Sequence, residues 1–136
     1  MSLLQAIQKF SIWLNARKYK TIAGHNVTFD RDFLKASAEK YGIKLPITYR
    51  TVDLHTLGYI HHTKRNLTSH IDEQGRTNLN SDTVFNYVGL PSEPKPHNAL
   101  TGAKMTAEAF SRLIYGKNLL KEFENYSIPD YLKNII

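Results

Sequence analysis

Only two stretches of this sequence read as β-strands, and both lie in its first half. "KTIAGHN" (20–26) is a short apolar run bounded by turn formers, consistent with a strand that ends at Gly24. "ITYRTVDLHTLGYI" (47–60) begins β-branched and runs into a helix near its end. Two strands cannot make a self-sufficient sheet. Helices must therefore supply most of the core.

Those helices are legible from apolar spacing. Leu3, Ile7, Phe10 and Leu14 recur at three- and four-residue intervals and place a helix over 3–18, with Ala6 and Trp13 on its flanks. Phe10 and Trp13 are expected in the core. "DRDFLKASAEKYG" (30–42) predicts a second helix, with Phe33, Leu34, Ala38 and Tyr41 as its buried stripe and Gly42 as its stop. Ser81-Asp82 offers an N-cap for a short helix through Tyr87, closed by Gly89 and Pro91. "SEPKPHNA" (92–99) is extended, because residues before proline avoid helical dihedrals. A strong helix is predicted from about Thr101 to Tyr115, with Ala103, Ala107, Phe110, Leu113 and Ile114 facing one way and Gly116 interrupting it. "NLLKEFENY" (118–126) adds a helical turn or two, and "SIPDYLKNII" is a tail with a final short amphipathic piece. Residues 61–80 are polar and basic without a clear period and read as a basic loop, with room for a short helical piece.

The chain has 136 residues, which suits one domain with a real core. No apolar run approaches the roughly 18 residues that a membrane span needs. The opening "MSLLQAIQKFSIWL" is amphipathic rather than a leader, because Gln5, Gln8 and Lys9 interrupt it. The absence of cysteine excludes disulfides and zinc–thiolate sites and fits a cytoplasmic location. Eighteen Lys and Arg against twelve Asp and Glu give a formal charge of +6, which suits a polyanionic partner such as nucleic acid.

"IAGHNVTFDRDFL" (22–34) carries a more specific pattern: a strand, His25-Asn26, two residues, Phe29-Asp30, then a helix start with Phe33-Leu34. Further along, "PHNALTGAKMTAEAF" (96–110) places His97 just before a helix. These segments resemble the second and third motifs of the DEDDh family of 3′–5′ exonucleases, the group of the polymerase III epsilon proofreading subunit. "TVDLHTLG" (51–58) and "NLNSDTVFNYVGL" (78–90) sit where that family has a strand ending in Asp and a short helix ending in Gly.

The resemblance implies a ribonuclease H-like exonuclease fold of the α/β class, here helix-rich and truncated to about two strands, with residues 1–136 as one partial domain. It also implies chemistry. Two divalent cations, Mg²⁺ or Mn²⁺, held by carboxylates would activate water and stabilise the leaving oxygen. A histidine would take the proton from the attacking water. By this resemblance Asp30 is a metal ligand, His97 is the catalytic general base, and Asn26 and Phe29 line the substrate beside the 3′ end of a single strand.

Two departures change what is expected. The family's first strand carries an Asp-x-Glu pair, and no Asp or Glu precedes Asp30 here. The aspartate of the third motif falls on Gly102. One surviving carboxylate cannot hold two cations against bulk water, so this chain alone is expected to be inactive and to bind no metal tightly. A segment encoded upstream, or another chain, is one way to complete the site. The alternative is a non-catalytic module that binds nucleic acid, through basic charge and Tyr19, Tyr49, Tyr59 and Tyr115, or that dimerises through the exposed strand at 20–25.

Each site residue also has a plainer reading. Asp30 complements a helix dipole, His97 caps or lies on the surface, and Asp53 fixes the chain locally at a strand end. His61-His62 belong to a solvated loop rather than a metal site. Lys64, Arg65 and Arg76 either contact phosphates or are simply hydrated.

Overall fold

Ser2 starts the first helix. Its hydroxyl accepts from Gln5 N–H while the Gln5 side chain accepts from Ser2 N–H, a reciprocal capping box that satisfies two otherwise orphaned donors. The computed structural model describes residues 1–67 and 71–133. It is a helix-rich α/β structure with a two-stranded parallel sheet. The chain divides into two compact units, Met1–Val52 and Asp53–Ile136.

In the first unit, helix α1 (Leu3–Asn15) leads to strand β1 (Ile22–Gly24), helix α2 (Thr28–Glu39) and strand β2 (Thr51–Asp53), whose last residue opens the second unit. α1 packs on α2. Ile7, Leu14, Ala38, Leu45 and Ile47 are buried together, with Phe10, Ile22, Leu34 and Ile43 packed around them. β1 pairs with β2, and no third strand flanks it among the described residues.

The second unit contains α3 (Leu54–Lys64), α4 (Ser81–Tyr87), α5 (Ala99–Tyr115), a 3₁₀ turn (Lys121–Phe123) and α6 (Asp130–Lys133). α5 is its axis and packs against α3, α4 and α6. Leu54, Leu79, Val84, Phe85, Val88, Leu90, Met105, Ala109, Leu113, Phe123 and Leu132 form its core.

Several sequence expectations need correcting. Trp13 is not core: it stays 54% exposed and stacks on the half-buried Phe10 at 6.0 Å. Phe33 and Tyr41 are likewise exposed, and from the α2 stripe only Leu34 and Ala38 pack inward. The short helix starts at Ser81 but its cap is Asn80, whose side-chain oxygen accepts from Thr83 N–H at 2.9 Å. α3 continues through His61 and His62 to Lys64, within the stretch read as a loop. The remainder of that stretch includes a turn in which Asp72 accepts from Gln74 and Arg76 N–H, closed by an Ile71–Thr77 antiparallel bridge. Residues 68–70 of that loop, and 134–136 of the predicted tail, lie outside the described residues.

The buried face of α5 is also rotated from the expected one. Ala103 and Ile114 are exposed, whereas Met105, Glu108, Ala109, Arg112 and Leu113 face inward. Glu108 and Arg112 are fully buried and paired, Nε to Oε1 at 2.9 Å. Arg112 also donates to the carbonyls of Val88, Phe123 and Tyr126 and to Asn118 Oδ1 at 2.9–3.0 Å. The other Glu108 oxygen accepts from Leu119 and Leu120 N–H, both at 2.9 Å. The pair thus fixes the backbone that follows α5.

Gly116 ends α5 in the left-handed conformation, φ 61°. A Cβ there would overlap the carbonyl oxygen of Leu132, a backbone atom that cannot swing aside cheaply. Substituting Gly116→Ala is expected to lower stability by about 1–2 kcal/mol from the left-handed backbone alone, with the overlap adding to it. A urea-denaturation midpoint equal to that of the parent chain would contradict this account.

Candidate functional site

The predicted site residues fall into two groups, one in each unit. In the first unit, β1 ends at Gly24 and the chain turns through His25 and Asn26 into α2. The turn is tight: a Cβ on Gly24 would stand 3.1 Å from the Val27 side chain. Asn26 has φ 52°, and its carbonyl accepts from Phe29 N–H at 3.1 Å. Asparagine is among the few residues that adopt the left-handed region readily, so the turn accounts for Asn26 by itself. Asp30 lies in the first turn of α2, where a carboxylate complements the helix dipole. Its side chain is exposed, and Phe29 is 76% exposed. The Asn26, Phe29 and Asp30 side chains therefore all remain accessible.

In the second unit, the extended segment 92–98 delivers His97 to the start of α5. Asn98 caps that helix, its side-chain oxygen accepting from Leu100 N–H at 3.0 Å and Thr101 N–H at 3.2 Å. His97 therefore does not cap α5, and it stands 64% exposed. Its Nδ1 lies 3.1 Å from Oε2 of Glu93. The same carboxylate covers Gly102: a Cβ on that glycine would stand 2.9 Å from Glu93 Oε1. Glu93 N–H donates to Asp82 Oδ1, at 2.8 Å, in the first turn of α4. The structure thus brings together His97, Gly102 and an acid that motif reading missed. The signal in the sequence is slender, an acid four residues before the histidine in a proline-rich segment.

The remaining candidates have local partners. Asp53 is the N-cap of α3, accepting from His55 N–H at 2.8 Å and Thr56 N–H at 3.3 Å. Such a cap is worth about 1 kcal/mol. His62 is buried with its ring 4.3 Å from that of Tyr87. Burial pushes the His61 imidazole below its ordinary pKa, helped by the charges of Lys64 and Arg65 and opposed by a hydrogen bond with the Leu113 backbone. Arg65 stacks on Tyr131 at 3.7 Å and donates to Tyr87 Oη, and Arg76 pairs with Asp72 at 2.9 Å. Lys64 is exposed.

Among the described residues no three His, Cys, Asp or Glu side chains gather where they could hold an ion, and the side chain of residue 102 offers no ligand atom. No helix among the described residues is long and apolar enough to cross a membrane. Compared with protein-family models, curated proteins and solved structures, the chain matches none.

Proposed function

We propose that this chain is a 3′–5′ exonuclease-like nucleic-acid-processing domain of ribonuclease H-like type that does not cleave by itself. The observation that carries the reading is the local form of the two motif segments. A strand stops at Gly24, turns through His25 and a left-handed Asn26, and enters a helix with Asp30 in its first turn. A second helix begins just after an exposed His97. These are the settings in which the resemblance would have an acidic metal ligand and a proton acceptor stand. In the catalytic reading His97 would take the proton from water, Asn26 and Phe29 would contact the terminal nucleotide, and Asp30 would offer one oxygen ligand to Mg²⁺ or Mn²⁺. Residue 102 is a glycine and supplies no acid, so in this reading the cations would need carboxylates besides Asp30.

A second reading has its own support. In the first unit three exposed aromatic rings each carry a cation over one face: Arg17 over Trp13 at 5.3 Å, Lys18 over Tyr19 at 5.2 Å and Arg50 over Tyr49 at 5.0 Å. Exposed rings with nearby positive charge suit the bases and phosphates of a single strand. A non-catalytic binding module, or one that dimerises by adding a strand to β1, would use the same scaffold.

One experiment tests both readings. The purified chain is incubated with end-labelled single-stranded DNA and RNA, with and without Mn²⁺, across a salt series. The expected result is salt-dependent binding without shortening of the strand. Degradation that disappears in a His97→Ala variant would disprove the claim of inactivity. No binding even at low salt would remove both nucleic-acid readings.

A further inference from the structure

Gly102 sits in the first turn of the 17-residue helix α5, a place where alanine would favour the helix more. The structure gives the glycine a reason. The Glu93 carboxylate occupies the space that a side chain at 102 would enter, with Oε1 2.9 Å from the position of a Cβ. The hydrogen bond from Glu93 N–H to Asp82 Oδ1 sets the direction in which this side chain leaves the extended segment. The Glu93 side chain is 14% exposed, against 64% for that of His97, so the acid is the sheltered member of the pair. A carboxylate beside the first turn of a long helix also meets the positive end of its dipole.

The contact has a chemical consequence. An ionised carboxylate can only accept hydrogen bonds, and Glu93 Oε2 faces His97 Nδ1 at 3.1 Å. The nitrogen nearest the acid must carry hydrogen, and in the neutral ring the other nitrogen, Nε2, then holds the lone pair. Which ring nitrogen is protonated is set by the partner of its opposite number.

We propose that Glu93 is the positioning residue of His97: it holds Nδ1 as N–H, so that Nε2 is the atom that takes up a proton, and Gly102 is present to make room for it. An acid at this turn would thereby be supplied by the segment before the helix instead of by the helix itself. The inference rests on the reading of His97 as the proton acceptor, and it names the group that orients it.

The test is the tautomer of His97, read from long-range ¹H–¹⁵N correlations of the ¹⁵N-labelled chain at a pH where the ring is neutral. Amide spectra establish that each variant is folded. The parent chain is expected to show mainly the Nδ1–H form. Glu93→Ala should lower the ratio of Nδ1–H to Nε2–H by roughly tenfold or more, the size of a hydrogen bond to a charged group. Glu93→Gln should give an intermediate ratio, because its side chain offers an N–H donor as well as an accepting oxygen. Gly102→Ala must shift the carboxylate and should lower the ratio in the same direction as Glu93→Ala but by less, and should change nothing further when Glu93 is already alanine. A predominantly Nε2–H ring in the parent chain, or equal ratios in the parent and Glu93→Ala, overturns the proposal. The readout needs no cleavage. The expected tautomer pattern in a chain that neither binds nor degrades nucleic acid would uphold the pair and end the nuclease reading.

Discussion

Replacing Arg112 with leucine is expected to destabilise the Asp53–Ile136 unit by about 3–5 kcal/mol, because it strands the Glu108 carboxylate in a buried site without its partner. A single lost hydrogen bond would cost about 1 kcal/mol. Arg112 serves several acceptors at once, and three of them are backbone carbonyls from separate places: Val88, Phe123 and Tyr126. Replacing the pair together by apolar residues often rescues stability where the ions bond only to each other. It should not do so here. The carbonyls of Val88 and Tyr126 and the amides of Leu119 and Leu120 would lose these partners, and the Phe123 carbonyl would keep only the Tyr126 N–H. Thermal and urea denaturation of the single and double variants, with hydrogen exchange over residues 117–126, would check this. A Glu108→Leu, Arg112→Leu double variant as stable as the parent would show that the network is dispensable.

Phe85→Ala should have an effect of similar size, about 3–5 kcal/mol, through a different mechanism. Phe85 is 1% exposed in the core of the second unit, beside Val84 and Val88, which are fully buried. Its carbonyl also accepts from Leu90 N–H at 2.8 Å as α4 ends, which limits how far the backbone can collapse into the space. The variant should expose apolar surface at temperatures where the parent does not, detectable with a hydrophobic dye during melting. Phe85→Leu should recover much of the loss by keeping most of the volume. An unchanged melting curve for Phe85→Ala would mean that this cluster contributes little to the fold.

The two variants also mark what the sequence could and could not disclose. Elements announced by apolar spacing and turn residues were legible: α1, α2, α4 and the end of α5 at Gly116 all follow from such signals. The orientation of α5 was not, because its inward face contains Glu108 and Arg112, and a buried ion pair erases the apolar stripe that periodicity detects. Phe33 lies on an apolar stripe and Trp13 flanks one, yet both remain exposed, since a stripe records which side of a helix is apolar and not how much of it is covered. The turn around Asn26 and the position of His97 before α5 were legible from short motifs with strong backbone preferences. Glu93 was not. Its nearness to Gly102 depends on how the extended segment meets α5 and α4, and no local pattern encodes that.

The backbone at Asn26 bears on how its chemistry should be probed. Alanine there would be forced into a left-handed conformation it resists, so a weakened chain would report a twisted corner before it reported anything about nucleotides. Glycine takes that corner without complaint while deleting the amide. Loss of ligand binding in a glycine replacement that melts like the parent would therefore speak for the side chain itself.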